Sequence, residues 1–253
     1  MVAGRPLLSV VIPVYNERDT IEELLRRVQA VTIDKEVIVV DDGSTDGTKE
    51  FLQSLRAGAV RVLLQEPNQG KGAALRLGFR EARGDIILIQ DADLEYDPRD
   101  YPRLLDPMVR GAADVVYGSR FLHARRLSTR QYLGNKILTV LSNLFTRLGL
   151  SDVYVGYKVF TRAVLAQIEL EEDRFGFEIE VTAKVAHGGW RLREVPISYH
   201  PRDYAHGKKI TWRDALAGAG CIIRYGFAGI LRVEAHAAGP ADAVAPATSR
   251  VDP

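Results

Sequence analysis

Read by hydrophobicity alone, the first ninety or so residues alternate between short unbroken apolar runs and longer stretches with helical spacing. LLSVVIPVY is apolar and β-branched, stops at Asn16, and reads as a strand. In DTIEELLRRVQAV, Ile21, Leu24, Leu25 and Val28 fall on one face of a helix. KEVIVVDD is a second strand whose run lacks alternation, as expected when both sheet faces are covered. A helix from about Asp46 to Leu55 follows, with Asp46 or Thr45 as its N-cap. VRVLLQE is the third strand, GKGAALRLGFREAR the third helix and DIILIQDAD the fourth strand. These alternations predict an α/β fold, a Rossmann-like, doubly wound and mostly parallel sheet flanked by helices, with right-handed crossovers.

The second half changes character. ADVVYGSRF reads as a strand ending in Arg120, followed by the basic segment RFLHARRLSTRQYLGNK and a helix with Ile137, Leu141, Leu144 and Leu148 on one face. SDVYVGYKVF reads as a helical segment, DRFGFEIEVTAKVAHGG as a helix led by aromatics, LREVPISYHPR as an edge strand, and DALAGAGCIIRYGFAGILRV as a last helix. From about Glu234 the chain turns to Ala, Pro, Gly and Ser, the composition of a disordered tail. One domain over 1–233 and a tail over 234–253 is the organisation expected; no internal repeat is visible.

Composition narrows the classes. The formal net charge is +1, so no global field selects nucleic acid. Cys221 is the single cysteine, which excludes an internal disulfide and a multi-cysteine metal site and makes a reducing compartment the default. The N-terminal apolar run breaks at Pro13 and continues into patterned sequence, so it reads as a strand and not a signal peptide. CIIRYGFAGILRV is about 13 residues long and carries Arg224, where a spanning helix needs about 20. A cytoplasmic protein that touches a membrane only at its face fits these features.

Every polar cluster falls at the carboxyl end of a strand: Asn16-Glu17, Asp41-Asp42, Asn68 to Gly72, and Asp91 to Glu95. In open α/β sheets that edge is the ligand crevice. If DAD is extended, Asp91 and Asp93 face one side roughly 6.6 Å apart, too far to chelate one ion without a bend. Asp93 is then the ligand of a divalent cation and Asp91 reaches a nucleotide, while Glu95 continues the same period as a further ligand. Oxygen donors without nearby His or Cys favour Mg²⁺ or Mn²⁺. Carboxylates alone would repel a phosphorylated ligand by about 4 kcal/mol per pair at 4 Å and an effective dielectric near 20. A cation reverses that sign, so acidic strand tips imply metal plus phosphate. Asp41 and Asp42, being adjacent, point to opposite faces, and only one can line the crevice. NQGKGAALRLG lacks the Walker pattern; it reads as a glycine-permitted turn with Lys71 able to face the ligand.

IPVYNE, VVDDGSTDGT, NQGKGAAL, DADLEYDP, YGSRF, FGFEIE and EVPISYHPRDYAHGKKI occur in the order seen in family 2 glycosyltransferases. The chain resembles in particular the dolichol-phosphate mannosyltransferase and polyprenyl-phosphate glycosyltransferase branch, over roughly residues 7–230. The resemblance implies a GT-A fold, a GDP- or UDP-sugar donor, Mg²⁺ or Mn²⁺, and inversion at the anomeric carbon. Carried over by motif, it implies that Pro13, Tyr15 and Glu17 hold the nucleotide and that Val40 and Asp42 face base and ribose, which selects Asp42 over Asp41. It makes Asp91, Ala92 and Asp93 the donor-metal site, sets Arg120 on phosphate, and casts Arg202 and Lys208 as a loop closing over the diphosphate. Gly207 stands where the family usually has Ser, and Glu95 where many relatives carry Gln. SDVYVGYKVF keeps Asp152, Gly156 and Lys158 and otherwise departs from the pattern.

The acceptor is approached through charge. A sugar hydroxyl needs a general base, for which Glu178 or Glu180 is the candidate. A lipid phosphate is already an anion and needs only cations to hold it. Arg120, Arg126 and Arg130 are the candidates for that, and with Arg125, Lys136 and the apolar helix that follows they form an element suited to an anionic membrane surface. A polyprenyl phosphate acceptor is therefore expected. A glycosyltransferase acting on a soluble or glycan hydroxyl is the alternative, and a non-catalytic sugar-nucleotide binding protein the third reading. His123, His200 and His206 show no ligand spacing.

Overall fold

Strand β1, Leu8–Val14, is buried along its whole length and pairs in parallel with both β2, Lys35–Asp41, and β4, Ile86–Ile89. The computed structural model describes residues 8–55, 58, 60–122, 129–174, 176–202, 218 and 220–226. Strand β3, Arg61–Leu64, adds in parallel to the outer side of β2. Between these strands run α1, Arg18–Ala30, α2, Thr48–Ser54, and α3, Lys71–Glu81. Ile21, Leu24, Leu25 and Val28 of α1 are the buried positions, as the 3.6-residue spacing requires. Helix α3 packs on β1 and β2. A Cβ at Gly78 would lie 2.3 Å from Val11 Cγ1, so the close approach of helix to sheet depends on that glycine.

The other half of the sheet mixes directions. Helix α4, Tyr101–Val109, leads to β5, Val115–Ser119; β6, Lys158–Thr161, lies antiparallel to both β4 and β5; β7, Leu192–Pro196, pairs in parallel with β5 as the edge strand expected. The order is β3-β2-β1-β4-β6-β5-β7. SDVYVGYKVF is therefore not helical: residues 151–157 form turns, and KVFT is a strand inserted between two others. Its β-branched, aromatic run suits a strand buried on both faces. Helix α4 was hidden by Pro102 and Pro107, although Tyr101, Leu104, Leu105 and Met108 keep helical spacing and are its buried residues. Helix α2 starts after Gly47, in the left-handed region at φ 93°, and not at Asp46 or Thr45. Asp46 Oδ1 still accepts from Thr48 N at 3.0 Å, so it supports the first turn from one residue further out.

Helix α5, Thr129–Thr146, divides the apolar face read from its sequence, with Leu141 and Leu148 packed on the core. Ile137 is 58% and Leu144 70% exposed, and Leu133 and Val140 are exposed beside them, whereas Thr139 and Ser142 are buried. Hydrogen bonding sets this orientation. Thr139 Oγ1 accepts from Val153 N, and Asn143 exchanges two bonds with Leu150. The short α6, Arg162–Leu165, precedes α7, Phe177–His187, on which α5 packs. Residues 220–226 continue helically, within the last helix expected. The expected tail over 234–253 lies outside the described residues.

Candidate active site

The tips of the parallel strands are knitted together by their own polar side chains. Asn16, at φ 55°, donates its N–H to Ser44 Oγ and accepts from Thr45 N. Glu17 N donates to Thr48 Oγ1. Asp42 accepts from Gln69 N at 2.8 Å, Gly70 N at 2.7 Å and Gln65 Nε2 at 2.7 Å, so its carboxylate anchors the turn before α3. Asp41 Oδ2 accepts from Ser44 N, while its Oδ1 is buried without a hydrogen-bond partner. Pro13 and Val40 face each other across the β1–β2 pair and are buried; Tyr15 is 45% exposed just beyond them.

Strand β4 delivers the acidic cluster. Gln90 is buried, with its Oε1 accepting from Tyr101 and Tyr157 and its Nε2 donating to the Asp91 carbonyl. That network fixes the point where the strand ends. Beyond it the chain turns instead of remaining extended, and Leu94 adopts φ 60°. The period of two that placed Asp91, Asp93 and Glu95 on one line is thus broken. Asp91 Oδ1 lies 2.8 Å from Lys71 Nζ, and a Cβ at Gly156 would sit 2.1 Å from its Oδ2. Asp93 Oδ1 accepts from Glu95 N at 3.1 Å. Glu95 accepts from Tyr199 OH at 3.2 Å and Arg202 N at 3.1 Å. Ala92 is buried between the two aspartates.

Arg202 closes the cluster from the far end of the sequence. Its Nε donates to the Asp93 carbonyl at 2.8 Å and its Nη2 meets Glu17 Oε2 at 2.7 Å. Arg120, buried at the end of β5, is held bidentate by Asp152 at 2.7 and 2.8 Å and lies 5.3 Å from the Tyr199 ring centroid. The guanidinium still has donors beyond those Asp152 takes. Lys208, Arg125, Arg126, Gly207, His123, His206 and the side chain of Arg130 lie outside the described residues.

Charge is unevenly balanced here. Burial, then the charges of Asp91 and Glu95, push the Asp93 carboxyl up to about 7 against the pull of Arg202. Lys71 is raised above its ordinary value: burial opposes its charge, but Asp91 and Glu178 outweigh it. Lys158 is lowered to about 8, chiefly by burial, and donates to the carbonyls of Val153 and Val155. Among the described residues no group of three or more His, Cys, Asp or Glu side chains converges as a cage. An acidic side chain with its neighbours' negative charge in excess fits a cation held by one or two carboxylates and by oxygens of a bound ligand.

The sequence alone did not single out Gln90, the Asp152 clamp on Arg120 or the pairing of Lys71 with Glu178. Only the last had a legible signal, a lysine directly after a strand-end turn. The N-terminus of α3 is not a phosphate cradle. A Cβ at Gly72 would lie 2.1 Å from the Glu172 carbonyl, and Ala73 N donates to the Asp173 carbonyl. Its glycines serve close docking on residues 172–173.

Residues 9–169, more than half of the chain, match the model of the family described as glycosyl transferase family 2. The chain belongs to glycosyl transferase family 2. Two relatives agree with that match, and one solved structure shares the fold. It is 32% identical over 211 residues to the polyprenol monophosphomannose synthase of Mycolicibacterium smegmatis, a match covering 79% of each chain. It is 33% identical over 205 residues to a low-salt glycan biosynthesis hexosyltransferase of Haloferax volcanii, covering 78% of this chain and spanning 49% of that longer relative. The glucosyl-3-phosphoglycerate synthase of Mycobacterium tuberculosis, solved with Mn²⁺, UDP and glucosyl-3-phosphoglycerate, superposes with a TM-score of 0.70 at 22% identity, over 88% of this chain and 80% of that one. The mostly parallel seven-stranded sheet, with β6 as its antiparallel member, matches the GT-A fold of that neighbour.

Proposed function

We propose that this family 2 chain moves a hexose, with inversion, from a GDP- or UDP-sugar to a polyprenyl phosphate. Its similarity to a polyprenol monophosphomannose synthase along four-fifths of both chains supports the acceptor class. The geometric observation that carries the reading is the engagement of both acidic side chains of FEIE. Glu180 accepts from Glu171 N, Glu172 N and Lys184 Nζ, and Glu178 is paired through Oε1 with Lys71 at 3.1 Å, its Oε2 being buried away from solvent. Neither is poised to take a proton from a hydroxyl. An anionic phosphate acceptor makes that unnecessary.

In this reading Pro13, Tyr15, Glu17, Val40, Asp42, Asp91, Ala92 and Asp93 receive the nucleotide and sugar. Mg²⁺ or Mn²⁺ held at Asp93 would supply Lewis-acid stabilisation of the departing diphosphate. Asp91 and Glu95 contribute charge from the sides, each tied to partners of its own. The bond from the anomeric carbon to the diphosphate breaks with its electron pair on the diphosphate. An acceptor phosphate oxygen forms the new bond from the opposite face, and no proton moves. Arg202 and Lys208 hold the leaving group, and Arg120, Arg126 and Arg130 the acceptor phosphate.

Among the described residues no helix is long and apolar enough to cross a membrane. Peripheral contact at the cytoplasmic face is assigned to the exposed row Leu133, Ile137, Val140 and Leu144, with Lys136 beside it. The test incubates the chain with Mn²⁺, labelled GDP-mannose or UDP-glucose, and either polyprenyl phosphate or a soluble sugar acceptor. Label entering the organic phase is the expected result. Turnover of the soluble acceptor alone would favour a hydroxyl-directed enzyme, and tight nucleotide binding without transfer a binding protein.

A further inference from the structure

Lys71 bridges two carboxylates from different parts of the chain: Asp91 of the acidic turn at 2.8 Å and Glu178 on the first turn of α7 at 3.1 Å. All three are largely shielded, with side chains 18%, 18% and 6% exposed. Glu178 Oε2 is buried without a hydrogen-bond partner, so the lysine supplies the neutralisation this carboxylate has among its hydrogen bonds and ion pairs. The lysine is fixed from behind as well. It is the first residue of α3, whose start docks on 172–173 through Gly72, Ala73 and Arg76, the last donating to the Glu172 carbonyl at 2.7 Å. On the other side of Asp91 the absent side chain of Gly156 leaves room for Oδ2 and for nothing larger.

We propose that Lys71 is a positioning residue: it holds Asp91 in an ion pair anchored on Glu178, keeps that carboxylate out of the cation's shell, and leaves Asp93 to receive the cation. The inference rests on the reading of this site as a nucleotide and cation pocket. It has a consequence of definite sign. Lys71→Met frees Asp91 and adds one uncompensated negative charge beside Asp93. Mn²⁺ alone should then bind more tightly, and a nucleoside diphosphate more weakly, each on the order of tenfold. Glu178→Gln leaves Lys71 to Asp91 alone and shifts both affinities the opposite way. A residue with a merely structural role would weaken both ligands together.

The experiment titrates the full chain with Mn²⁺ by electron paramagnetic resonance, and with GDP or UDP in saturating Mn²⁺ by calorimetry. Opposite-signed shifts in Lys71→Met support the assignment. Changes within about twofold, or parallel weakening of both ligands, overturn it. If Lys71→Met does not fold, Glu178→Gln decides: weaker Mn²⁺ with tighter nucleotide supports the assignment, and unchanged affinities overturn it. A wild-type chain that binds neither Mn²⁺ nor nucleotide overturns the reading of the pocket and this inference with it. Normal wild-type binding with unresponsive variants overturns the inference alone.

Discussion

Asp93 carries an electrostatic load that Arg202 relieves only in part. Its carboxyl is raised to about 7 by burial and by the charges of Asp91 and Glu95, against about 3.9 for an unfolded chain. The folded state therefore holds a proton that the unfolded state has released between those values. Stability of the cation-free protein should fall as pH rises from about 4 to about 7 and level off above it. Asp93→Asn removes that slope, so in EDTA at pH 8 the variant should melt a few degrees above the wild type. With Mn²⁺ and a sugar nucleotide the order reverses, and the variant loses cation-dependent transfer. Melting curves across pH, with and without Mn²⁺, check both halves. A variant that transfers sugar at a near-normal rate would remove Asp93 from the cation site.

Helix α5 shows where reading elements from sequence succeeds and fails. Periodicity located β1 to β4 and α1 to α3 because the apolar runs there, the half-exposed β3 apart, are satisfied by burial alone. It put Ile137, Leu141, Leu144 and Leu148 on one face of α5, but the structure divides that face, Leu141 and Leu148 packing on the core while Ile137 and Leu144 are exposed, because polar groups decide the orientation. Thr139 and Asn143 of α5 bond to the 150–153 loop, which brings Leu133, Ile137, Val140 and Leu144 outward. Residues 151–160 read as helix because their burial comes from insertion between β4 and β5, a long-range pairing that no local period encodes. The acidic strand tips were legible as a cluster. Their internal partition was not, since it follows from the turn at Leu94 and from Lys71, Tyr199 and Arg202 arriving from three other segments. The exposed row yields a direct prediction. Ile137→Glu with Leu144→Glu should change stability by less than about 1 kcal/mol, as surface replacements do. It should lower sedimentation with anionic phospholipid vesicles several-fold and slow transfer to a membrane-embedded polyprenyl phosphate, with donor binding unchanged. Phe145→Ala, on the partly buried side, should do the reverse: it destabilises without abolishing vesicle binding.

Across the whole molecule, the parallel strands that carry the acidic tips meet the mixed strands that carry Arg120 through a few buried polar junctions. Tyr96 accepts from Gly156 N, and Arg120 is clamped by Asp152, which itself sits on a turn secured by Lys158 and by Glu194 on β7. The Arg120–Asp152 pair is almost fully withdrawn from solvent, so its two members cannot be removed independently. Asp152→Leu leaves a guanidinium buried without its counter-charge, which costs about 3–5 kcal/mol. Replacing both members, as Arg120→Met with Asp152→Leu, removes the stranded charge along with the pair and should recover most of that loss. Stability and function then part company. The double variant should melt close to the wild type and still bind GDP or UDP with Mn²⁺, while transfer to polyprenyl phosphate stays abolished if Arg120 is the group that meets the acceptor, as proposed. Denaturant unfolding of the two single variants and the double variant, run beside the transfer assay, separates these effects. If the double variant regained transfer together with stability, Arg120 would be a structural clamp, and the acceptor phosphate would have to be held elsewhere.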